Sequence, residues 1–191
     1  MRAGSLGRES CLTLANRLVR IELFDMQIRQ ERVEDTTAIR LLTDAAFEGV
    51  PYSDQTESKI VDALRSANAL TLSLVASQEG EILGHVAFSP VRINGVDAGW
   101  HGLGPVSVRP DLQRRGIGRS LVQGGLDRLR SMNAVGCVVF GDPAYYGRFG
   151  FESDPAFFYA GAPPGYFQRL VFKGDAPTGE VTYHASFDVT G

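Results

Sequence analysis

The chain has 191 residues, of which 43% are hydrophobic and 21% are charged, a composition typical of a single globular domain. Its formal net charge of −3 provides no overall basic field, so no nucleic-acid partner is expected. The longest apolar run, residues 135–140, is far shorter than the ~20 residues that cross a bilayer, so no membrane partner is predicted.

The first half of the chain predicts one strand, two helices and an antiparallel meander of three strands. Apolar residues recur at helical spacing in both helices, and Ser53 or Asp54 can cap the second one. Short glycine-containing turns at 78–80 and 94–95 connect the strands of the meander. The predicted bounds are 26–30 for the first strand, 33–47 and 53–68 for the helices, and 70–77, 81–93 and 98–108 for the meander.

The second half predicts a helical crossover between two parallel strands. From Gly116 onward, apolar residues mark an amphipathic helix that ends near Asn133, and residues 134–140 form a buried strand after it. A strand that is reached through a helix is expected to pair in parallel with the strand before that helix. A short aromatic helix at 144–149 follows, and residues 180–189 alternate as a last strand.

The connection between the fourth strand and this helix carries a candidate anion site. Residues 113–118 read Gln-Arg-Arg-Gly-Ile-Gly. The first amides of a helix have no acceptor within it, and the helix dipole favours an anion there. Gly116 and Gly118 allow a close approach of the backbone or a positive φ, and three nearby arginines add positive charge. A pyrophosphate fits this turn.

A simple tight connection also explains two glycines after a strand, and the Gly-x-Gly pattern alone favours that explanation. The preceding strand, the amphipathic helix and the arginines together favour the anion site. Leu121 stands where a dinucleotide-binding fingerprint needs its third glycine, and no Gly-Lys-Ser/Thr follows as in a P-loop. Both of these nucleotide-binding motifs are therefore excluded.

The order of elements, the segment 106–121 and the Tyr-Tyr-Gly-Arg-Phe-Gly-Phe of residues 145–151 together resemble the GCN5-related N-acetyltransferase (GNAT) superfamily. The resemblance implies an α/β (α+β) fold with a mixed, mostly antiparallel sheet, in which the parallel pair of strands four and five splays at the cofactor site. It assigns residues 26–191 to the N-acetyltransferase (GNAT) domain. Residues 1–25 are expected to be an N-terminal extension, with disorder and a misplaced start left open as explanations.

The resemblance also implies acetyl-CoA as the co-substrate. In the superfamily the phosphate turn reads Gln or Arg, two residues, Gly, any residue, Gly or Ala, and residues 113–118 match it. Gly102, Gly104 and Pro105 indicate either a bulge or a kink at a sheet edge. In the superfamily, the backbone beyond such a bulge pairs with the pantetheine arm of the cofactor. By this resemblance, an amide near Val106 would polarise the thioester carbonyl. The implied cofactor-binding residues are Val106, Ser107, Val108, Gln113, Arg114, Arg115, Gly116, Ile117, Gly118, Arg119 and Tyr145.

Tyr146 is the predicted catalytic acid. Acyl transfer from a thioester to an amine leaves a thiolate, which a nearby phenol can protonate. In the superfamily this tyrosine lies five residues before the Phe of a Gly-Phe pair, and the spacing from Tyr146 to Phe151 matches. Packing in the core is the alternative for any such tyrosine. His101 is the predicted general base, although a lone histidine beside Trp100 is also typical of a structural residue.

The predicted activity is acetyl-CoA-dependent N-acetyl transfer to a primary amine by direct attack. Cys137 lies in an apolar run without an adjacent base, so no acyl-enzyme is expected. Neither Cys137 nor Cys11 has the spacing of a disulfide framework or a zinc site, and both are expected to be reduced thiols in the cytoplasm. No metal site is predicted.

The acceptor is expected to be an amine of a small molecule or a protein, selected by the first two helices and by loops such as 47–54 and 159–167. The absence of an obvious base keeps a second hypothesis open, a non-catalytic acyl-CoA-binding regulatory module. A structural domain without a ligand is the third. The resemblance suggests a homodimer.

Overall fold

The computed structural model describes residues 25–51 and 53–189, so the predicted extension lies, apart from Asp25, outside the described residues. The strands are β1 (Gln27–Gln30), β2 (Leu72–Gln78), β3 (Glu81–Ile93), β4 (Val96–Val108), β5 (Gly136–Phe140), β6 (Phe157–Phe158), β7 (Phe167–Val171) and β8 (Gly179–Thr182). The α-helices are α1 (Thr36–Phe47), α2 (Glu57–Ser66), α3 (Ile117–Ser131) and α4 (Pro143–Tyr146). Short 3-10 helices span Val33–Asp35, Pro110–Leu112, Gly147–Phe149 and Ala185–Asp188.

The strands form a mixed sheet in the order β1-β2-β3-β4-β5-β7. Strands β1 to β4 pair antiparallel in succession, which confirms the predicted meander. β5 follows α3 and pairs with β4 in parallel, from Trp100 opposite Gly136 to Leu103 opposite Val139, which confirms the predicted crossover. β7 pairs antiparallel with β5, and β8 pairs with β3 and β6.

The last predicted strand, residues 180–189, is wrong in its second half. β8 ends at Thr182, and a 3-10 helix follows. His184 caps this helix, because its Nδ1 accepts a hydrogen bond from a helix amide at 3.1 Å. The alternating apolar residues of this segment pack ring against ring and do not pair as a strand, since the centroids of the Tyr183 and Phe187 rings lie 4.8 Å apart.

The alternation of side chains along the strands divides the core between the two faces of the sheet. α3 covers one face, where the buried residues include Leu74, Val86, Phe88, Leu121 and Leu126. α1 and α2 pack through a second cluster made of Ile39, Val61, Val75 and Ala87. A third cluster, made of Val91, Ile93, Trp100, Val138, Phe157, Phe167 and Val181, joins the C-terminal segment to the sheet. This packing fixes the start of α3 beside the end of β4.

A buried polar chain crosses the sheet beneath α2. Arg65 Nε donates to Glu31 Oε1 at 2.8 Å, and the Ser73 hydroxyl donates to the other Glu31 oxygen. The fully buried His85 places its Nε2 2.8 Å from Ser73 Oγ. Burial lowers the pKa of His85 to about 4, against the opposing effect of Glu31, so the imidazole is neutral near pH 7.

Candidate active site

The chain turns sharply between β4 and α3. Gly116 is the N-cap of α3 and has a φ of +91°, a left-handed conformation that favours glycine. The first hydrogen bond of the helix runs from the Ser120 amide to the Gly116 carbonyl at 3.0 Å. The amides of residues 117–119 therefore precede the helical ladder and form its positive end.

The side chains of this turn separate into a buried anchor and an exposed polar rim. Ile117 is buried in the core beneath α3, so only its backbone is available to a ligand. Gln113 is exposed, and its Nε2 donates to the Val108 carbonyl at 3.4 Å. The exposed cationic side chains of the rim are Arg114, Arg115 and Arg119. Positive charge thus surrounds the free amides.

β4 contains the predicted bulge. Val106 stands opposite Val86 and Leu103 opposite Phe88, so Gly104 and Pro105 together oppose one residue of β3. The pairing of β4 with β5 ends at Leu103. Beyond the bulge β4 continues to Val108 without pairing to β5, and this separation is the gap between the two strands. The predicted splay is therefore confirmed.

Beyond the bulge, alternate backbone groups of β4 point into this gap. The Arg109 amide donates to the Leu83 carbonyl of β3 at 3.0 Å. The N–H and C=O of successive strand residues point to opposite sides, so those of Val106 and Val108 point away from β3. The Val108 carbonyl already accepts from Gln113, so the main-chain groups of Val106 and the amide of Val108 are available to a ligand that lies along the gap.

The Ser107 side chain is held by a contact with α1. Its hydroxyl lies 3.0 Å from the hydroxyl of Thr43 on α1, and both side chains are buried. Its backbone faces β3, where it stands opposite His85. Ser107 therefore braces β4 against α1, and its side chain does not reach the gap.

Tyr145 lies against the start of α3. A Cβ built at Gly118 would come within 3.1 Å of Tyr145 Oη and 3.5 Å of the Val108 side chain. Burial raises the pKa of the Tyr145 phenol, and the Arg148 guanidinium, 4.6 Å from the ring centroid, opposes this effect. The structure thus brings Tyr145 together with the phosphate turn.

Tyr146 packs against the turn that follows β5. Its ring lies so close to Gly141 that a Cβ there would be 2.4 Å from it, and it meets Phe151 edge-on with centroids 5.9 Å apart. The rings of Tyr145 and Tyr146 are T-shaped, with centroids 4.9 Å apart. Tyr146 therefore lies where β5 leaves the sheet, next to the end of its pairing with β4.

His101 lies in the paired part of β4, opposite Pro90 and Cys137. Burial lowers the pKa of its imidazole, an effect that Asp97 only partly opposes. Its Nδ1 is buried and makes no hydrogen bond within residues 25–51 and 53–189. Because His101 precedes the bulge, it lies behind the gap and not on its edge.

Two buried hydroxyls that the sequence analysis did not select lie next to Gly102, one residue before the pairing of β4 with β5 ends. Ser89 stands directly opposite Gly102, and the Tyr183 ring covers Gly102, where a Cβ would lie 2.5 Å from Tyr183 Cε1. Neither Ser89 Oγ nor Tyr183 Oη has a hydrogen-bond partner among the described residues. The sequence signal for this pair is Gly102, since only a residue without a side chain leaves room for the ring.

The described part of the chain has neither a metal-binding cluster nor a membrane-spanning helix. There, no group of three or more His, Cys, Asp or Glu side chains is arranged to hold a metal ion. None of the described helices is long and apolar enough to cross a membrane. Cys137 is fully buried, and burial raises the pKa of its thiol, which favours an inert role.

Known proteins resemble this chain in both sequence and architecture. Residues 27–153 match the model of the acetyltransferase (GNAT) domain. The uncharacterized N-acetyltransferase YhbS of Escherichia coli strain K12 is 42% identical over 128 residues, which cover 66% of this chain and 74% of YhbS.

Two solved structures extend the comparison. A GNAT family acetyltransferase from Brucella melitensis, in complex with acetyl-CoA, is 54% identical with a TM-score of 0.78, over 85% of this chain and 98% of that one. YhbS from Escherichia coli, in complex with CoA, is 35% identical with a TM-score of 0.80, over 87% of this chain and 93% of that one.

Proposed function

The chain belongs to the GNAT acetyltransferase family, and on that premise we propose that it transfers the acetyl group of acetyl-CoA to a primary amine by direct attack. In this reaction the carbon–nitrogen bond of the amide forms and the carbon–sulfur bond of the thioester breaks. The amine loses one proton and the departing thiolate gains one. The acceptor is an amine of a small molecule or a protein, and we propose that the enzyme acts in the cytoplasm as a homodimer.

The observation that carries the proposal is the continuity of the gap with the phosphate turn. The main-chain groups of Val106 and the amide of Val108, which point away from β3, suit the pantetheine arm, and an amide near Val106 polarises the thioester carbonyl. The amides of residues 117–119 lie at the end of the same path and suit the pyrophosphate. The exposed arginines of the rim neutralise its charge, and Tyr145 closes the turn beside Gly118.

We assign the proton transfers to two side chains. Tyr146 protonates the departing thiolate, a role that its place beside the separation of β4 and β5 supports. His101 accepts the proton of the amine, and its lowered pKa keeps it in the neutral form that a base needs. Since His101 lies behind the gap, we propose that water carries the proton to it.

Thiol release tests this function. Purified protein is mixed with acetyl-CoA and a panel of primary amines, and free thiol is followed with and without amine. Release that depends on the amine supports the enzyme. Tight binding of acetyl-CoA with no amine-dependent release supports instead a non-catalytic acyl-CoA-binding module, which the position of His101 behind the gap favours. No rise in melting temperature with acetyl-CoA contradicts both, because a ligand bound only by the native state must stabilise it.

A further inference from the structure

Ser89 and Tyr183 are two residues with buried hydroxyls next to Gly102, one residue before the gap between β4 and β5 begins. Residues directly opposite each other in an antiparallel pair have Cβ atoms about 5 Å apart, so Ser89 is a close neighbour of the ring that covers Gly102. A hydroxyl both donates and accepts hydrogen bonds. Buried hydroxyls in native proteins are nearly always satisfied, yet both of these lack a partner in the described residues. Such a pair is suited to a bound polar atom.

The surroundings of this pair are polar but uncharged. The titratable groups that act on the Tyr183 phenol are the Cys137 thiol and the phenols of Tyr159 and Tyr146. Burial raises the pKa of both Tyr183 and Cys137, so these groups are neutral near pH 7. A buried carboxylate or phosphate would lack a counter-charge there. A neutral amine suits the site, since burial favours the uncharged form of an amine.

An aromatic path leads from this pair to the surface. The ring of Tyr183 meets that of Tyr159 edge-on, with centroids 5.1 Å apart. Tyr159 also contacts Phe140, with centroids 6.3 Å apart. Phe140 ends β5 and is 50% exposed. A continuous series of ring contacts therefore connects the buried hydroxyl of Tyr183 with the exposed Phe140.

We infer that Ser89 and Tyr183 bind the amino nitrogen of the acceptor, and that the acceptor is a primary amine carried on an apolar or aromatic chain that lies along Tyr159 and Phe140. The inference rests on the proposed acetyl transfer. The two N–H groups of the amine donate to the oxygens of Ser89 and Tyr183, which leaves the nitrogen lone pair for the thioester carbon. As the carbon–nitrogen bond forms and the carbon–sulfur bond breaks, one of these protons leaves the nitrogen and the thiolate takes one up.

Binding of an amine to the CoA complex tests the polar contact. Calorimetry measures the affinity of n-hexylamine and benzylamine for the protein saturated with CoA. Tyr183→Phe and Ser89→Ala each remove one hydroxyl and are expected to weaken amine binding about tenfold, with unchanged CoA affinity and a melting temperature that does not fall. Ser131→Ala, which removes an exposed hydroxyl at the C-terminal end of α3, is the control and keeps wild-type affinity.

A second pair of variants tests whether the acceptor amine carries an apolar or aromatic group. Phe140→Ala is expected to weaken the binding of n-hexylamine and benzylamine, because it removes the outer wall of the path. Phe158→Ala removes an equally exposed ring of the same region that lies outside this path and is expected to have no effect. Glycine, which carries a carboxylate in place of an apolar chain, is expected to bind at least about tenfold more weakly than benzylamine.

The outcomes separate this inference from the proposed function. Wild-type affinity of both hydroxyl variants, equal losses in Phe140→Ala and Phe158→Ala, or failure of both amines to bind the CoA complex contradicts the inference. Amine binding that depends on Ser89 and Tyr183, together with no amine-dependent thiol release, supports the inference and contradicts the proposed catalysis. Thiol release with glycine that equals release with benzylamine contradicts the apolar acceptor and leaves acetyl transfer intact.

Discussion

The hydroxyl of Tyr145 lies over Gly118 in the first turn of α3, where a Cβ would come within 3.1 Å of the Tyr145 oxygen. This contact joins the turn after β4 to the helix after β5, which are the two segments that carry the sequence resemblance to the family. It also explains why residue 118 is a glycine although its backbone is helical. The free amides of residues 117–119 and the Tyr145 ring thus form one wall of the site.

Gly118→Glu tests the phosphate turn. The new side chain displaces Tyr145 and places a negative charge beside the expected pyrophosphate, so acetyl-CoA affinity is expected to fall about a hundredfold or more. Gly124→Glu places the same charge further along α3, where a Cβ has only a 3.4 Å contact with Ile28, and serves as the control. Calorimetry measures both affinities, and an unchanged affinity of Gly118→Glu contradicts the assignment.

Tyr146→Phe tests the catalytic acid. Loss of a general acid is expected to lower turnover about a hundredfold with little change in acetyl-CoA affinity. Tyr145→Phe is the matched variant, since it removes the neighbouring hydroxyl beside Gly118, and it is expected to weaken acetyl-CoA binding while turnover at saturation is kept. Turnover rates measured across the pH range separate the loss of the catalytic acid in Tyr146→Phe from the weaker cofactor binding in Tyr145→Phe. Equal turnover of Tyr146→Phe and wild type at every pH removes Tyr146 from the mechanism.

Gly102→Ala tests the packing of Tyr183 on β4. The added methyl group would lie 2.5 Å from Tyr183 Cε1 and 3.0 Å from the Val91 side chain, so the free energy of unfolding is expected to fall by about 1–3 kcal/mol. Tyr183→Ala removes the obstructing ring, and the cost of Gly102→Ala is expected to shrink in that background. Urea denaturation of the four proteins of this cycle gives the coupling; strictly additive losses contradict the contact.

His85 is expected to make stability depend on pH. Its pKa is about 4 in the folded protein and about 6.5 when unfolded, so the unfolded chain binds more protons below pH 6.5. Stability is therefore full above that pH and falls by roughly 3 kcal/mol as the pH drops to 4. His85→Gln is expected to reduce this slope. His101, whose pKa is also lowered, contributes in the same direction, so part of the slope remains.

Urea denaturation at a series of pH values from about 7 to about 4 measures this effect. His184→Gln changes a histidine of the C-terminal 3-10 helix and leaves the buried chain of Glu31, Ser73 and His85 intact. In His184→Gln, the contribution of His85 to the pH dependence of stability is expected to be the same as in the wild type. Parallel stability curves for wild type and His85→Gln would show that the buried imidazole does not titrate as described.

Local sequence patterns were sufficient to predict most of the sheet. The bounds of β3 and the bulge at Gly104 and Pro105 follow from apolar residues and strand-breaking residues that act within a few positions. The segment after Thr182 was predicted wrongly because its alternating aromatic residues pack as rings, Tyr183 with the distant Tyr159 and with Phe187 of the same segment. Such contacts leave no periodic trace that distinguishes them from a strand.

The same limit applies to the site. The turn at 113–118 could be predicted because its amides, glycines and arginines are consecutive in sequence. The pair of Ser89 and Tyr183 could not, because each residue reaches Gly102 only through tertiary structure, Ser89 by the pairing of β3 with β4 and Tyr183 by the return of the C-terminal segment. The placement of His101 behind the gap likewise depends on the point at which β4 and β5 separate.

The central claim is that acetyl-CoA held along β4 and α3 gives its acetyl group to a primary amine. The most direct measurement follows free thiol and acetylated benzylamine in one reaction, by absorbance and by mass spectrometry. We predict that thiol release depends on the amine and that each thiol is matched by one acetylated amine. Thiol release at the same rate without amine, or tightly bound acetyl-CoA that stays intact with every amine of the panel, would contradict the claim.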